Sequence, residues 1–203
     1  MSVDVPFRAA PDSETGTGGS TAILDAARAV ATAGGFKAVR LKTVAKQAGI
    51  TVGSLYDHFA SKTDLLVTLL AREFERVNQE RDWSTCAASP SDGLGSLTAR
   101  LHDEWQQNLQ LTEAVVRAFV MAGTDEALTV QHAADVVESM LARTVGGPTQ
   151  GACERQIAGV IADIWLANLM AFVVGRATAA EARERIDRGL QRILAAWNAS
   201  KSA

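Results

Sequence analysis

The sequence predicts an all-α protein: a three-helix head near the N-terminus followed by a larger helical body. Three observations carry that expectation. The 203 residues include 36 Ala but only 4 Pro and 11 aromatics, a balance that favours helix over sheet. From Ser20 onward apolar residues recur at spacings of three and four, the period of a helix with one buried face. No run of strict apolar–polar alternation bounded by turn residues occurs. The length is enough to bury a real core, and 47% hydrophobic with 21% charged residues is the composition of a globular chain.

The elements follow in order. Residues 1–19 carry Gly16, Gly18, Gly19 and two prolines and read as a flexible tail. The Gly-rich stretch lacks the Gly-Lys-Ser/Thr of a phosphate loop. Ile23, Leu24, Ala27, Val30 and Ala31 share a helix face, with Ser20 or Thr21 to cap its start and Gly34-Gly35 to stop it. A second short helix through Leu41, Val44, Ala45 and Ala48 ends at Gly49. A third follows over 52–59, with Thr51 at its N-cap. Ser61-Lys62-Thr63-Asp64 opens a longer helix, with Asp64 where a capping box places an acid. After a break at about 84–93, further helices are expected over about 94–108, 111–122, 125–145, 150–176 and 178–198. Gly123, Gly146-Gly147-Pro148 and Gly175 with Thr178 punctuate them.

Several function classes drop out. Cys86 and Cys153 cannot build a disulfide framework, and with His102 and His132 they show no metal spacing. No metal and no cofactor is expected. The first residues lack the basic and apolar regions of a secretory signal, so a cytoplasmic protein is expected and the Asn198-Ala-Ser200 sequon has no meaning. Residues 157–175 approach the length of a membrane span, yet Asp163 and Asn168 lie within them. A helix packed between protein partners is the better account, and no membrane is expected. Neither a Gly-x-Ser-x-Gly elbow nor a His-Glu-x-x-His pair is present, so the chain is not expected to be an enzyme.

The charge is unevenly spread. The net −3 divides into −2 over residues 1–19, +3 over 20–66 and −4 over 67–203. These segments are also the expected tail, head and body. Two short helices about Gly49 make a helix-turn-helix, whose second helix is available to a major groove. The basic surplus lies on that segment, where contacts to a phosphate backbone would need it.

Val44-Ala45-Lys46-Gln47-Ala48-Gly49-Ile50-Thr51-Val52-Gly53-Ser54-Leu55-Tyr56-Asp57-His58-Phe59, followed by Ser61-Lys62-Thr63-Asp64-Leu65-Leu66, resembles the DNA-binding signature of TetR-type bacterial transcriptional regulators. The resemblance covers about a quarter of the chain and implies double-stranded operator DNA as a partner. By the same resemblance, Gly49 allows the tight turn and Thr51 caps the recognition helix and offers its hydroxyl to a phosphate. Val52, Gly53 and Ser54 are small enough for the backbone to approach bases. Tyr56 and His58 would reach the DNA backbone; half-core, half-surface packing is the lesser alternative for Tyr56, whereas the His58 ring would serve equally well packed against the bundle. Lys62 would pair with a phosphate at the positive end of its helix. Lys42 is the best backbone contact among the remaining lysines. Arg40 stands where the family usually has a capping Thr, which exchanges capping for attraction to DNA. The tail offers only Arg8, so no minor-groove arm is expected.

For the body, the resemblance implies an effector pocket and a homodimer interface. Ile157, Val160, Ile161 and Ile164, with Ile186, Leu190, Ile193, Leu194 and Trp197, give the last two helices apolar faces. Two such helices from each protomer would form a four-helix interface; packing within one chain is the alternative. Trp105, Leu109, Phe119, Met121, Met140, Trp165 and Phe172 offer aromatic and thioether surface to an apolar small-molecule effector. Such stripes also form ordinary cores. Asn168, a polar group in an apolar helix, would orient a ligand or bridge the dimer. The expected protein is a dimeric, sequence-specific repressor released by an apolar effector. The alternatives are an all-α enzyme or an effector-less architectural protein that retains the helix-turn-helix.

Overall fold

The computed structural model describes residues 15–80, 83, 89–147 and 151–201, which contain α-helices and no strand. The helices are α1 (Thr15–Ala38), α2 (Leu41–Ala48), α3 (Val52–His58), α4 (Lys62–Gln79), α5 (Pro90–Gln107), α6 (Leu109–Met121), α7 (Ala127–Gly146), α8 (Ala152–Val173) and α9 (Ala179–Lys201). A 3-10 turn (Thr124–Glu126) leads into α7.

Helix α1 starts at Thr15, ahead of the expected Ser20, so the last residues of the expected tail are helical. The remainder of that tail, and Cys86, lie outside the described residues. At the other end the glycine pair breaks the helix: Gly34 sits at φ −150° and Gly35 at φ 64°, a left-handed value that glycine adopts without strain. Gly49, at φ 72°, closes α2, and its N–H reaches the Ala45 and Lys46 carbonyls, a left-handed C-cap. Ser61 caps α4 by accepting the Asp64 N–H at 2.9 Å, while Asp64 accepts the Ala60 N–H at 3.0 Å. Helix α5 begins inside the expected break. Ser89 accepts the Asp92 N–H at 3.2 Å and Pro90 occupies the first turn, so the cap prevails over the helix-weakening Gly93 and Gly95.

Packing makes α4 the spine. One core cluster joins Ile23, Ala27, Val44, Leu55 and Phe59 of the head to Leu65, Leu66 and Leu69 of α4, and to Leu111, Ala114 and Val115 of α6. A second joins Phe74 and Val77 of α4 to Leu97, Leu101, Met140, Ile161, Ile186 and Leu190. The expected boundary between 66 and 67 thus falls within an unbroken helix whose two halves serve different cores. Helix α1 also lies along α6, so the head is bolted to the body rather than hung from a linker.

A row of ion pairs, half-buried at Glu73 and Glu104 and exposed at Asp25, runs beside this spine. Arg28 of α1 and Arg76 of α4 meet Glu73 at 3.1 and 3.2 Å, Arg76 and Arg100 meet Glu104 at 2.6 and 2.9 Å, and Arg72 meets Asp25 at 2.8 Å. Helix α8 is long and apolar enough to cross a membrane by length and composition. One side of it, through Ile161, Trp165 and Leu169, is buried within the chain. Val160, on the other side, is 51% exposed.

Candidate functional site

The helix-turn-helix presents its polar residues outward because its apolar ones are consumed beneath. Leu55 and Phe59 of the recognition helix are buried against the head core. Thr51 accepts the Ser54 N–H at 3.0 Å and so fixes the start of α3. Thr51 and Gly53 lie exposed, Val52 and Ser54 half-buried beside them, and Tyr56 is 55% exposed. Arg40 and Lys42 are exposed at the start of α2, where Arg40 makes no side-chain cap bond. Among the described residues its guanidinium has no ion-pair partner.

Two of the expected contacts sit differently from the rest. The His58 ring is exposed but flanks Phe59, with centroids 6.4 Å apart, and a Cβ on Gly19 would come within 3.1 Å of its Nε2. Lys62 turns inward. Its ammonium donates to the Phe36 carbonyl and lies 3.5 Å over the centre of the Phe36 ring. Burial, assisted by the Arg40 charge and opposed by Glu113, holds its pKa below the ordinary lysine value. A phosphate contact from Lys62 would require that tie to break.

The body contains a cavity of about 120 Å³ among α4 to α8. Leu70 and Phe74 come from α4, Trp105 from α5, Val116 and Phe119 from α6, Val137 from α7, and Trp165 and Leu169 from α8. Of the expected ligand residues, the structure brings Trp105, Phe119 and Trp165 together there. Phe172 lines a smaller space beside His102 and Trp105. The others do not line the cavity. Met140 is buried in the second core, Met121 is 63% exposed, and Leu109 lies against Gly35 and Phe36 at the end of α1. Asn168 donates to the Ile164 carbonyl of its own helix at 2.8 Å, which satisfies its amide locally. Glu138 and Asp163 are the ionisable residues of the lining, and no Lys, Arg or His is among them. His102, buried and facing Arg183, is held below the ordinary histidine value, burial being the larger cause.

The cavity and the reading head are joined by polar ties at the start of α4. Ser61 donates to Glu126 at 2.8 Å, and Thr129 of α7 donates to Asp64 at 2.7 Å. The Ser61 bond, followed by the Gly123 N–H, holds the Glu126 carboxyl below its usual range. On the other side Glu113 of α6 accepts the Phe36 N–H at 2.9 Å. Helices α6 and α7 therefore touch the head at one end and line the cavity further along.

Known proteins match this arrangement. The family model for bacterial regulatory proteins of the tetR family matches residues 23–69, and that for tetracyclin repressor-like C-terminal domains matches residues 88–193. The HTH-type transcriptional repressor KstR of Mycolicibacterium smegmatis is 42% identical over 168 residues, 81% of this chain and 81% of its own. A TetR transcriptional regulator from Rhodococcus sp. RHA1 superposes with a TM-score of 0.78 at 21% identity, over 87% of this chain and 95% of that one. FadR of Thermus thermophilus, a TetR-family repressor solved in complex with lauroyl-CoA, superposes with a TM-score of 0.68 at 16% identity, over 86% and 93%.

Proposed function

Since the chain belongs to the TetR family of bacterial transcriptional regulators, we propose that it is a dimeric repressor whose two heads grip an operator and release it when an apolar molecule enters the cavity. The observation that carries this is the course of α4. It begins beneath the recognition helix, where Leu65 and Leu66 pack with Leu55 and Phe59, and a few turns later Leu70 and Phe74 form the cavity wall. A molecule wedged against Phe74, Val116 and Val137 displaces the same helices that hold Ser61, Asp64 and Phe36. The head then moves with them, provided the effector binds the released state more tightly than the gripping one.

In this reading Arg40, Lys42, Thr51 and Tyr56 meet phosphates, and Val52, Gly53 and Ser54 face the base edges. His58 lies at the margin of the contact. The homodimer forms through the outer face of α8 with α9. Ile157, Val160, Ile164 and Ile193 remain wholly or partly uncovered there, whereas Ile186, Leu190, Leu194 and Trp197 are already buried within the chain. Gly189 lets α9 approach α8 closely, since a Cβ there would meet Ile164 at 3.2 Å. KstR is named as a repressor, and the same mode of action is assigned to this protein, working in the cytoplasm beside its DNA.

Gel-shift titration on the DNA upstream of its own gene tests the reading. Binding there is expected to exceed that to random duplex at equal salt by at least about 10³-fold. Equal binding to both would remove the case for a specific regulator of that site.

A further inference from the structure

Taking the cavity as the effector site of the proposed repressor, we infer that its ligand is uncharged at the buried end and carries an oxygen acceptor there. That oxygen takes the hydrogen bond of the Trp165 indole, and Trp105 is the movable partition that admits it.

Trp165 is 3% exposed, lines the cavity, and has no hydrogen-bond partner for its Nε1 among the described residues. A buried N–H without an acceptor is unfavourable, so an incoming carbonyl, ether or hydroxyl oxygen gains a bond that no neighbouring side chain competes for. The charge of the lining excludes the anionic alternative. Glu138 and Asp163 stand on it with no basic residue beside them. A carboxylate or phosphate drawn in would lose its water, meet the half-buried Glu138 and the more exposed Asp163, and find no basic side chain in the lining. An ammonium would suit the acids but cannot accept from the indole. A neutral acceptor on an apolar frame satisfies both constraints.

The size of the cavity assigns Trp105 its part. About 120 Å³ is below the roughly 300–1,000 Å³ of ordinary ligand pockets. Two further spaces, of about 30 and 10 Å³, adjoin it, and Trp105 walls all three. Leu70 and Phe74 are shared with one neighbour and Leu169 with the other. Trp105 is half-buried and is held by edge contacts, 6.5 Å from Phe74 and 5.3 Å from Trp165 between ring centres. Swinging that ring aside merges the three spaces into one elongated pocket and uncovers the face of Trp165. The two events are one movement, so an apolar molecule that opens the partition comes against the Trp165 ring that carries the unpaired N–H.

The test uses the full-length protein without DNA, titrated calorimetrically with methyl decyl ketone and with dodecanoate at neutral pH. The ketone is expected to bind at least about tenfold more tightly than the carboxylate, and Trp165→Phe to weaken the ketone by about tenfold while leaving dodecanoate unchanged. A measurement on the unaltered protein guards against misfolding of that variant. With 15N-labelled tryptophan, one indole N–H resonance, absent from Trp165→Phe, is expected to shift downfield when the ketone is added. Dodecanoate binding as tightly as the ketone, no ketone binding, or an unmoved Trp165 resonance would each overturn the inference. Because no DNA is present, a failed gel shift leaves this result standing. A ketone that binds as described but leaves operator DNA bound refutes the effector role and not the site.

Discussion

Lys62 and Lys42 stand on the two helices that flank the recognition helix in the chain, yet their surroundings differ. Lys42 is exposed on α2 with its ammonium in water, ready to release a counter-ion from a phosphate. Lys62 donates to Phe36 and sits over its ring, fastening α4 to the end of α1. Lys42→Ala is therefore expected to reduce the slope of log affinity against log salt by about one. Lys62→Met is expected to leave that slope unchanged and to lower unfolding stability by about 1 kcal/mol. Anisotropy at several salt concentrations and urea unfolding read the two effects separately. Local chemistry of this kind was partly legible in the sequence. The caps at Thr51 and Ser61 and the left-handed Gly49 depend only on adjacent residues, and the structure has them as expected. The inward turn of Lys62 was not legible, because its partner Phe36 is brought to it by the packing of α1 on α4.

Among the elements, α4 and its ties are the proposed route between cavity and head. Helix α4 packs between α6 and α7. The bonds from Ser61 to Glu126 and from Thr129 to Asp64 tie its first turn to the start of α7. Thr129→Val combined with Glu126→Gln is expected to leave DNA affinity and effector affinity each within a few-fold of normal, while the factor by which effector weakens DNA binding falls toward one. Titrating DNA in the absence and presence of saturating effector measures that factor directly; an unchanged factor would place the coupling elsewhere. The helices themselves were legible from apolar periodicity. The start of α5 was not, because Ser89-Pro90-Ser91-Asp92 is a strong cap standing in front of two glycines, and the glycines suggested a break. Nor was it legible that Leu109, Met121 and Met140 stand outside the cavity. Helical spacing shows which residues share a face, but not whether that face meets a core, a void or solvent.

On the scale of the whole molecule, the acidic net charge and the basic head describe a protein that must gather affinity from geometry. A surplus of +3 over residues 20–66 is small for one head. Two heads at fixed separation double it and match the two-fold symmetry of a palindromic site. The apolar length of α8 belongs to the same design. Ile161, Trp165 and Leu169 are buried within the chain, and the face proposed for the second protomer is the one with the exposed Val160 and the half-buried Ile157 and Ile164. The sequence marked that helix as needing a partner, but it assigned too much of α9 to the interface. The stripe of Ile186, Leu190 and Leu194 is spent on packing within the chain, and only its edge remains.

The most direct test is the ratio of affinities for a selected operator and a scrambled duplex, measured at one salt concentration for the wild type and for Val160→Glu. The substitution sets a charge on an exposed position of α8 that does not itself line the cavity and lies outside the head. The wild type is expected to prefer its operator by about 10³-fold or more. The variant, sedimenting as a monomer with unchanged helix content, is expected to lose at least about 100-fold of that preference, because each head then binds alone. A monomeric variant that keeps the full preference would contradict the account.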